Sequence, residues 1–262
     1  MEKRIMITSL IRYSRYNKEK YGTLDEDKIN EIKGSIFNHY EITNNYVSLS
    51  DVEILTPVVP TKIIALGYNY KDLIGPQEKY QEPVIFFKPP SSVIAHNDTI
   101  KIPNEKQKVW VEIELAIIIN KECKNVSEDQ AHNYILGYTI GNDITTENIN
   151  NRDHHLARSK GWDTFCPIGP CIKINIDTND LRLITRINGE VFQNSSTKNR
   201  ILNNNESIAL VSSFMTLNPG DIILTGTPAN AENSVITDGD TVELEIQNIG
   251  TLKNTVSFID EP

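Results

Sequence analysis

The chain predicts an α+β fold that is mostly β, and three observations carry that reading. Val242-Glu243-Leu244-Glu245-Ile246 alternates apolar and charged residues with the period of a half-buried strand. Val111-Glu112-Ile113-Glu114-Leu115 repeats the pattern. Helix signatures, by contrast, are few and short, and they fall between strand-like stretches.

Taken in order, Ile5 to Tyr13 and the run around Gly22-Thr23-Leu24 read as strands, and Asp25 to Ile36 as a helix. Val58-Val59-Pro60 reads as the linker out of a small β-rich N-terminal domain, residues 1–58, into a main domain, residues 59–262. Ser127-Glu128-Asp129-Gln130 has the serine-to-glutamine spacing of a capping box and predicts a short helix running through Tyr134. Asn205 is placed to cap a second helix with Ile208, Leu210, Val211 and Phe214 as its apolar positions, stopped by Asn218-Pro219-Gly220. Asp238-Gly239-Asp240 then turns the chain into the strand at Val242.

Composition narrows the function. The 262 residues are 39% hydrophobic, enough for a substantial core. A net charge of −9 without basic clusters argues against nucleic acid or an anionic membrane as partner. No apolar run is long enough to span a bilayer and Met1-Glu2-Lys3-Arg4-Ile5-Met6 leads to no signal-peptide core, so the expected location is cytoplasmic. Cys123, Cys166 and Cys171 form no Cys-x-x-Cys pair and read as small buried hydrophobes, neither zinc ligands nor nucleophiles. Nucleotide-cradling glycine loops and a Gly-x-Ser-x-Gly elbow are absent from the sequence.

Chemistry concentrates at Glu112 and Glu114. Residues two apart on a strand share a face and stand roughly 6 to 7 Å apart. Both carboxylates can therefore reach one cation, and Asp143, in Gly141-Asn142-Asp143, offers a third. Such a set suits a hard divalent ion, Mg²⁺ or Mn²⁺. Glu243 and Glu245 show that spacing alone is not enough, because the same alternation also describes a strand whose polar face meets water.

Context separates the two pairs. In order, the chain carries Pro60-Thr61-Lys62-Ile63-Ile64-Ala65-Leu66-Gly67-Tyr68-Asn69-Tyr70, Phe87-Lys88-Pro89-Pro90-Ser91, the Glu112/Glu114 segment and Gly137-Tyr138-Thr139-Ile140-Gly141-Asn142-Asp143. Lys160-Gly161-Trp162-Asp163-Thr164-Phe165-Cys166-Pro167-Ile168-Gly169-Pro170 and Pro219-Gly220-Asp221-Ile222-Ile223-Leu224-Thr225-Gly226-Thr227-Pro228 follow. In order and spacing these segments resemble the fumarylacetoacetate hydrolase family over nearly the whole chain. The resemblance implies a mixed β-roll or sandwich with peripheral short helices, assembled as a homodimer. It also implies that Glu112, Glu114 and Asp143 hold the metal, that Lys160 lies beside the substrate, and that Thr227 contacts a carboxylate or keto oxygen. The implied substrate is a small 2-oxo or 2,4-dioxo acid, and the family default is C–C hydrolysis of an acylpyruvate-type compound.

The sequence also departs from the family. Where a lid His and, three residues on, a Glu usually activate water, it has Leu73 and Pro76, and neither can accept a proton. Asp72, Glu78, Glu82 and His96 are the nearby candidates to replace them. The usual Ala-Arg-Asp is Thr146-Glu147-Asn148, and two positions often Gln are Asn150 and His155. Arg158 or Arg152 is the available compensation for the lost arginine, and His155, ahead of His154, is a candidate catalytic contact. Losing the water-activating pair penalises hydrolysis most. Decarboxylation or keto–enol isomerisation of an oxo acid such as oxaloacetate is therefore the alternative within the enzyme class, and a non-catalytic metal-binding protein the alternative outside it.

Overall fold

The computed structural model describes residues 8–73, 82–104 and 107–259. Five strands come from the first fifty-odd residues: β1 (Thr8–Arg15), β2 (Lys18–Asp25), β3 (Lys28–Gly34), β4 (Tyr40–Ser48) and β5 (Glu53–Ile54). Next come β6 (Ile63–Gly67), β7 (Val84–Lys88), β8 (Val93–Ile94), β9 (Thr99–Ile102), β10 (Val109–Trp110) and β11 (Ile113–Ile119). Helix α1 (Glu128–Ala131), β12 (Ile135–Asn142), β13 (Thr145–Thr146), α2 (Ala157–Lys160) and β14 (Cys166–Ile174) occupy the middle. The chain closes with β15 (Arg182–Ile187), β16 (Glu190–Ser196), α3 (Asn204–Phe214), β17 (Ile222–Leu224), β18 (Thr241–Ile246) and β19 (Gly250–Phe258). The fold is α+β and mostly β, as expected.

One long sheet runs β4-β3-β2-β1-β14-β12-β11-β17-β6-β7, and a second runs β16-β15-β18-β19-β9. β11 lies in the middle of the long sheet, antiparallel to both β12 and β17. Its odd-numbered face serves two cores: Ile113 and Leu115 pack with Leu183, Val242 and Leu244 of the second sheet, whereas Ile117 and Ile119 pack against Ile208 and Val211 of α3. Ala116 and Ile118 fill the opposite face together with Ala65, Phe86 and Leu224. Strand parity therefore puts Glu114 on the same face as Ala116 and Ile118, at the end of the strand where the apolar packing stops.

Three local expectations are corrected. Asp25 to Ile36 is not a helix: a turn with Glu26 at positive φ leads into β3, which pairs with β2 and β4. Ile29 and Ile32 stand three apart but fall on opposite faces of this strand. Ile29 packs with Ile11, Tyr13 and Val47, and Ile32 against the cluster holding Leu10 and Ile36. The helix after Ser127 does run through Tyr134, as one α-turn continued by a 3₁₀ turn, His132–Tyr134, but the capping box is not formed, because the Ser127 side chain makes no capping bond. α3 is capped by Asn203 rather than Asn205: the Asn203 side chain accepts from the Asn205 and Glu206 amides, while Glu206 accepts from the Asn203 amide. Of the strand expected from Ile5, the first three residues lie outside the described residues and the remainder falls in β1. Among the described residues no helix is long and apolar enough to cross a membrane.

Candidate active site

The three carboxylates predicted from sequence do converge. Glu112, Glu114 and Asp143 each offer an oxygen within 4.8 Å of the others. Glu112 sits immediately before β11 rather than inside it, because its amide donates to the Asn142 side chain (3.1 Å) while its carbonyl accepts from the Asp143 amide (3.0 Å). This clasp ties the start of β11 to the end of β12 and brings Asp143 next to the glutamate pair.

Each carboxylate is held by different donors. Glu112 Oε1 accepts from Trp110 Nε1 (2.9 Å) and Thr145 Oγ1 (2.8 Å), and its Oε2 accepts from Lys160 Nζ (3.0 Å). Asp143 accepts from Lys88 Nζ on Oδ1 (2.6 Å) and from Lys160 Nζ on Oδ2 (2.7 Å). Glu114 Oε2 accepts from the Gly226 amide at 2.5 Å. That approach depends on a glycine: Gly226 has φ +92°, and a Cβ there would come within 2.8 Å of the Leu66 carbonyl.

Charge and burial set the protonation pattern. Three carboxylates against two ammonium groups leave one formal negative charge if all are ionised. Burial first, and then the charges of Asp143 and Glu112, push the Glu114 carboxyl well above the ordinary carboxylate range. Burial pushes Asp143 the same way, but Lys160 and Lys88 outweigh it and hold this carboxyl below its ordinary value. For Lys160 burial favours the neutral amine, yet the facing carboxylates win and the ammonium is held more firmly than in water.

This donor set fits a divalent cation. A Mg²⁺-sized ion with metal–oxygen distances of about 2.1 Å places its oxygens roughly 3 to 4.2 Å apart, close to the spacing seen here. Carboxylate oxygens have further lone pairs beyond those used by the lysines and by Trp110 and Thr145. The residual negative charge of the ionised set favours a cation, which has to displace the proton that the raised Glu114 carboxyl otherwise holds. By contrast Glu243 and Glu245, the matching pair on β18, are bonded to Lys253 (3.1 Å) and Arg186 (2.8 Å) and form the polar face of a strand.

Glu112 and Glu114 open onto a cavity of about 340 Å³, with Asp143 buried beside them. Lys160 and Thr227 line it, as do Tyr68, Leu73, Trp110 and Leu156. Lys160 arrives on α2, whose start is fixed by the Ser159 amide and hydroxyl donating to Asp153 (2.6 and 2.8 Å). His155 and Arg158 are not brought to this cavity. Leu156 takes a left-handed φ of 57°, which leaves His155 exposed in a neighbouring groove with His154. Arg158, two residues from Lys160 on a helical turn, points the other way and is exposed. Arg152 is exposed too.

The departures are equally concrete. Leu73 is on the cavity wall, where the family usually has its histidine. Pro76 and Glu78 lie outside the described residues. Asp72 is bonded to Ser195 (3.2 Å), Glu82 is exposed, and His96 lines a different cavity near β5, where its Nδ1 accepts from the Lys253 amide (3.1 Å). Sequence reasoning missed Lys88, which is fully buried and also donates to the carbonyls of Ile144 (3.1 Å) and Lys160 (2.7 Å). A lysine ending the apolar run Val84-Ile85-Phe86-Phe87 was the available signal. Trp110 and Thr145 were missed because they act through Glu112.

Fold and site together define a mostly β chain that places a largely buried acidic triad and a lysine at the β11–β12 junction beside a cavity. The family model for the fumarylacetoacetate (FAA) hydrolase C-terminal region matches residues 62–257, and an Rv2993c-like N-terminal model matches residues 9–57. The protein belongs to the fumarylacetoacetate hydrolase family. A protein of Archaeoglobus fulgidus is 45% identical over 236 residues, covering 88% of this chain and 91% of its own. The mitochondrial oxaloacetate tautomerase fahd2 of Xenopus laevis is 36% identical over 223 residues, covering 80% of this chain and 70% of its own. Among solved structures, 2-hydroxyhepta-2,4-diene-1,7-dioate isomerase from Mycobacterium marinum superposes with a TM-score of 0.89 at 37% identity, covering 97% of this chain and 100% of the other. Maleylpyruvate hydrolase from Sphingobium sp. SYK-6, solved with manganese(II) and pyruvate, superposes with a TM-score of 0.78 at 27% identity, covering 95% and 100%. Relatives thus include proteins named as isomerase, hydrolase and tautomerase.

Proposed function

We propose that this chain is a divalent-metal enzyme, using Mg²⁺ or Mn²⁺, that rearranges or cleaves a small 2-oxo or 2,4-dioxo acid. The observation that carries this reading is the convergence of Glu112, Glu114 and Asp143, with Glu112, Glu114 and Lys160 on one cavity wall and Asp143 buried beside them. The three carboxylates would hold the ion, which when bound acts as a Lewis acid for a developing enolate. Lys160 keeps its proton and supplies a fixed positive charge beside the reacting oxygens. Thr227 offers a hydroxyl on the same wall. Tyr68, Leu73, Trp110 and Leu156 surround the bound acid with apolar surface and limit the access of water.

Within this class the geometry favours keto–enol tautomerisation or decarboxylation over hydrolysis. Hydrolysis needs a base to deprotonate water, a contribution of roughly 10²- to 10⁴-fold. Leu73 occupies the expected base position, and among the described residues no histidine lines the cavity. The relatives named oxaloacetate tautomerase support the same choice. Family default hydrolysis of an acylpyruvate is the second reading. A homodimer is the expected assembly, which light scattering in solution checks.

The test is metal-dependent turnover of enolic oxaloacetate and of acetylpyruvate side by side with product identification, using Glu114→Ala as the metal-site control. Accelerated ketonisation or decarboxylation of oxaloacetate, lost in the variant, is the expected result. Acetate release from acetylpyruvate would move the assignment to hydrolysis. Turnover of neither, with oxalate still bound, would make the chain a binder rather than an enzyme.

A further inference from the structure

We infer that Gln193 is a positioning residue that makes the Thr227 hydroxyl a committed hydrogen-bond donor to an anionic oxygen of the substrate. The inference rests on the proposed oxo-acid reading of the site. Gln193 lies on β16 opposite Thr185 of β15, beside a register shift that leaves Phe192 as the extra residue on its strand. Bulges of this kind re-aim a neighbouring side chain. The Gln193 side chain, 3% exposed, extends behind the cavity wall to the turn that follows β17.

Its amide orientation is fixed by what surrounds it. Nε2 donates to the carbonyls of Pro228 (3.0 Å) and Ala229 (3.3 Å), groups that can only accept. Oε1 accepts from the Thr185 hydroxyl (2.9 Å). Turning the amide over would set an oxygen against two carbonyl oxygens, so the NH₂ must face the turn. Nε2 is also 3.4 Å from Thr227 Oγ1, so its two protons are shared among three acceptors, and toward Gln193 the Thr227 oxygen can only accept. A hydroxyl has a single proton, and with Gln193 donating from behind, the Thr227 proton is left for a partner in the cavity that Thr227 lines with Glu112, Glu114 and Lys160. Thr227 thus presents a donor, which suits the carboxylate or enolate oxygen of a bound oxo acid and penalises a ligand that would itself donate there. No charge is spent in achieving this, so the positive charge at the site remains with the lysines and the metal.

The experiment is calorimetric titration of the Mn²⁺-loaded full chain with oxalate and with pyruvate, in wild type, Gln193→Met, Thr227→Val and the double variant. Hydrogen bonds to charged groups imply a loss of oxalate affinity of about tenfold or more in Thr227→Val. Gln193→Met should lose several-fold while Mn²⁺ affinity stays the same, and in the Thr227→Val background it should cause no further loss. That non-additivity is the signature of acting through Thr227, because a general packing defect would add to it. Gln193→Glu, which puts an acceptor behind the hydroxyl, should weaken oxalate binding more than Gln193→Met. Unchanged oxalate affinity in Gln193→Met, or losses that add in the double variant, would overturn this inference and leave the proposed function standing. Failure of the wild type to bind either anion would overturn both.

Discussion

Replacing Lys88 with methionine tests whether the acidic site is held together by a buried cation. The ammonium is fully buried and makes three bonds, to Asp143 Oδ1, the Ile144 carbonyl and the Lys160 carbonyl. Methionine keeps most of the volume and removes the charge. Breaking a buried ion pair from one side costs about 3–5 kcal/mol. Asp143 retains Lys160, which lowers that figure, but each orphaned carbonyl adds about 1–3 kcal/mol. A net loss of about 3–5 kcal/mol therefore follows, or roughly 6–20 °C in Tm for a chain of this length. The assay is thermal and urea unfolding in chelator, repeated with saturating Mn²⁺. Because the variant site carries one more uncompensated negative charge, Mn²⁺ should stabilise it by more degrees than it stabilises wild type. Lys198→Met, which removes an exposed pair with Asp180, is the control and should leave the midpoint unchanged. A loss in chelator below about 1 kcal/mol for Lys88→Met would refute the reasoning, since losing one of two ammonium partners of a buried carboxylate and orphaning two carbonyls cannot be that cheap.

Other outcomes follow from the same geometry. Glu114→Gln keeps the shape but removes a ligand charge, and Mn²⁺ affinity measured by calorimetry should fall by at least roughly 100-fold. Thr145→Val removes one of the two donors to Glu112 Oε1 and should weaken Mn²⁺ binding roughly tenfold with the fold intact by circular dichroism. Because the folded, metal-free protein holds on Glu114 a proton that the unfolded chain has already released, stability in chelator should fall as pH rises from the ordinary carboxylate range through the raised value. Metal must displace that proton, so Mn²⁺ affinity should climb over the same window, with proton release seen as a buffer-dependent binding enthalpy. Asn203→Ala removes the reciprocal cap of α3 and should cost about 1 kcal/mol in urea unfolding.

The acidic pair was legible because extended backbone puts residues two apart on one face, and although Glu112 falls just before β11 its clasp to Asn142 and Asp143 keeps it beside Glu114. What parity could not supply was the distinction from Glu243 and Glu245, which came from arrangement in space and from the surrounding motifs. His155 and Arg158 were candidates through their nearness in sequence to Lys160, but a helix turns about 100° per residue and a left-handed Leu156 redirects the chain, so proximity along the chain did not become proximity in the cavity. The strand mistaken for a helix, β3, packs Ile29 on one face and the partly buried Ile32 on the other, and so lacks the alternation by which half-buried strands are recognised. Beyond its place at the end of an apolar run Lys88 gave little sign of its role, and Gln193 gave none, since their importance lies in acceptors contributed by segments 55 to 72 and 34 to 36 residues away.

The way the first strands join the long sheet constrains how this protein can be cut. β1 pairs with β14 through Thr8, Ser9 and Leu10 against Ile174, Lys173 and Ile172, and Lys173 reaches Ser9 at 2.6 Å. Leu10 and Ile36 pack in the same cluster as Cys166 and Phe86, and the Phe86 ring lies 5.0 Å beneath the Lys160 ammonium. A fragment beginning after residue 58 would bare the β14 edge, with its unpaired amides and carbonyls, beside freshly exposed apolar side chains. Such edges recruit strands from other molecules. Expression of the metal-binding part alone should therefore give aggregates, and chimaeras that exchange the N-terminal unit should fold only when the replacement supplies a strand in the β1 register.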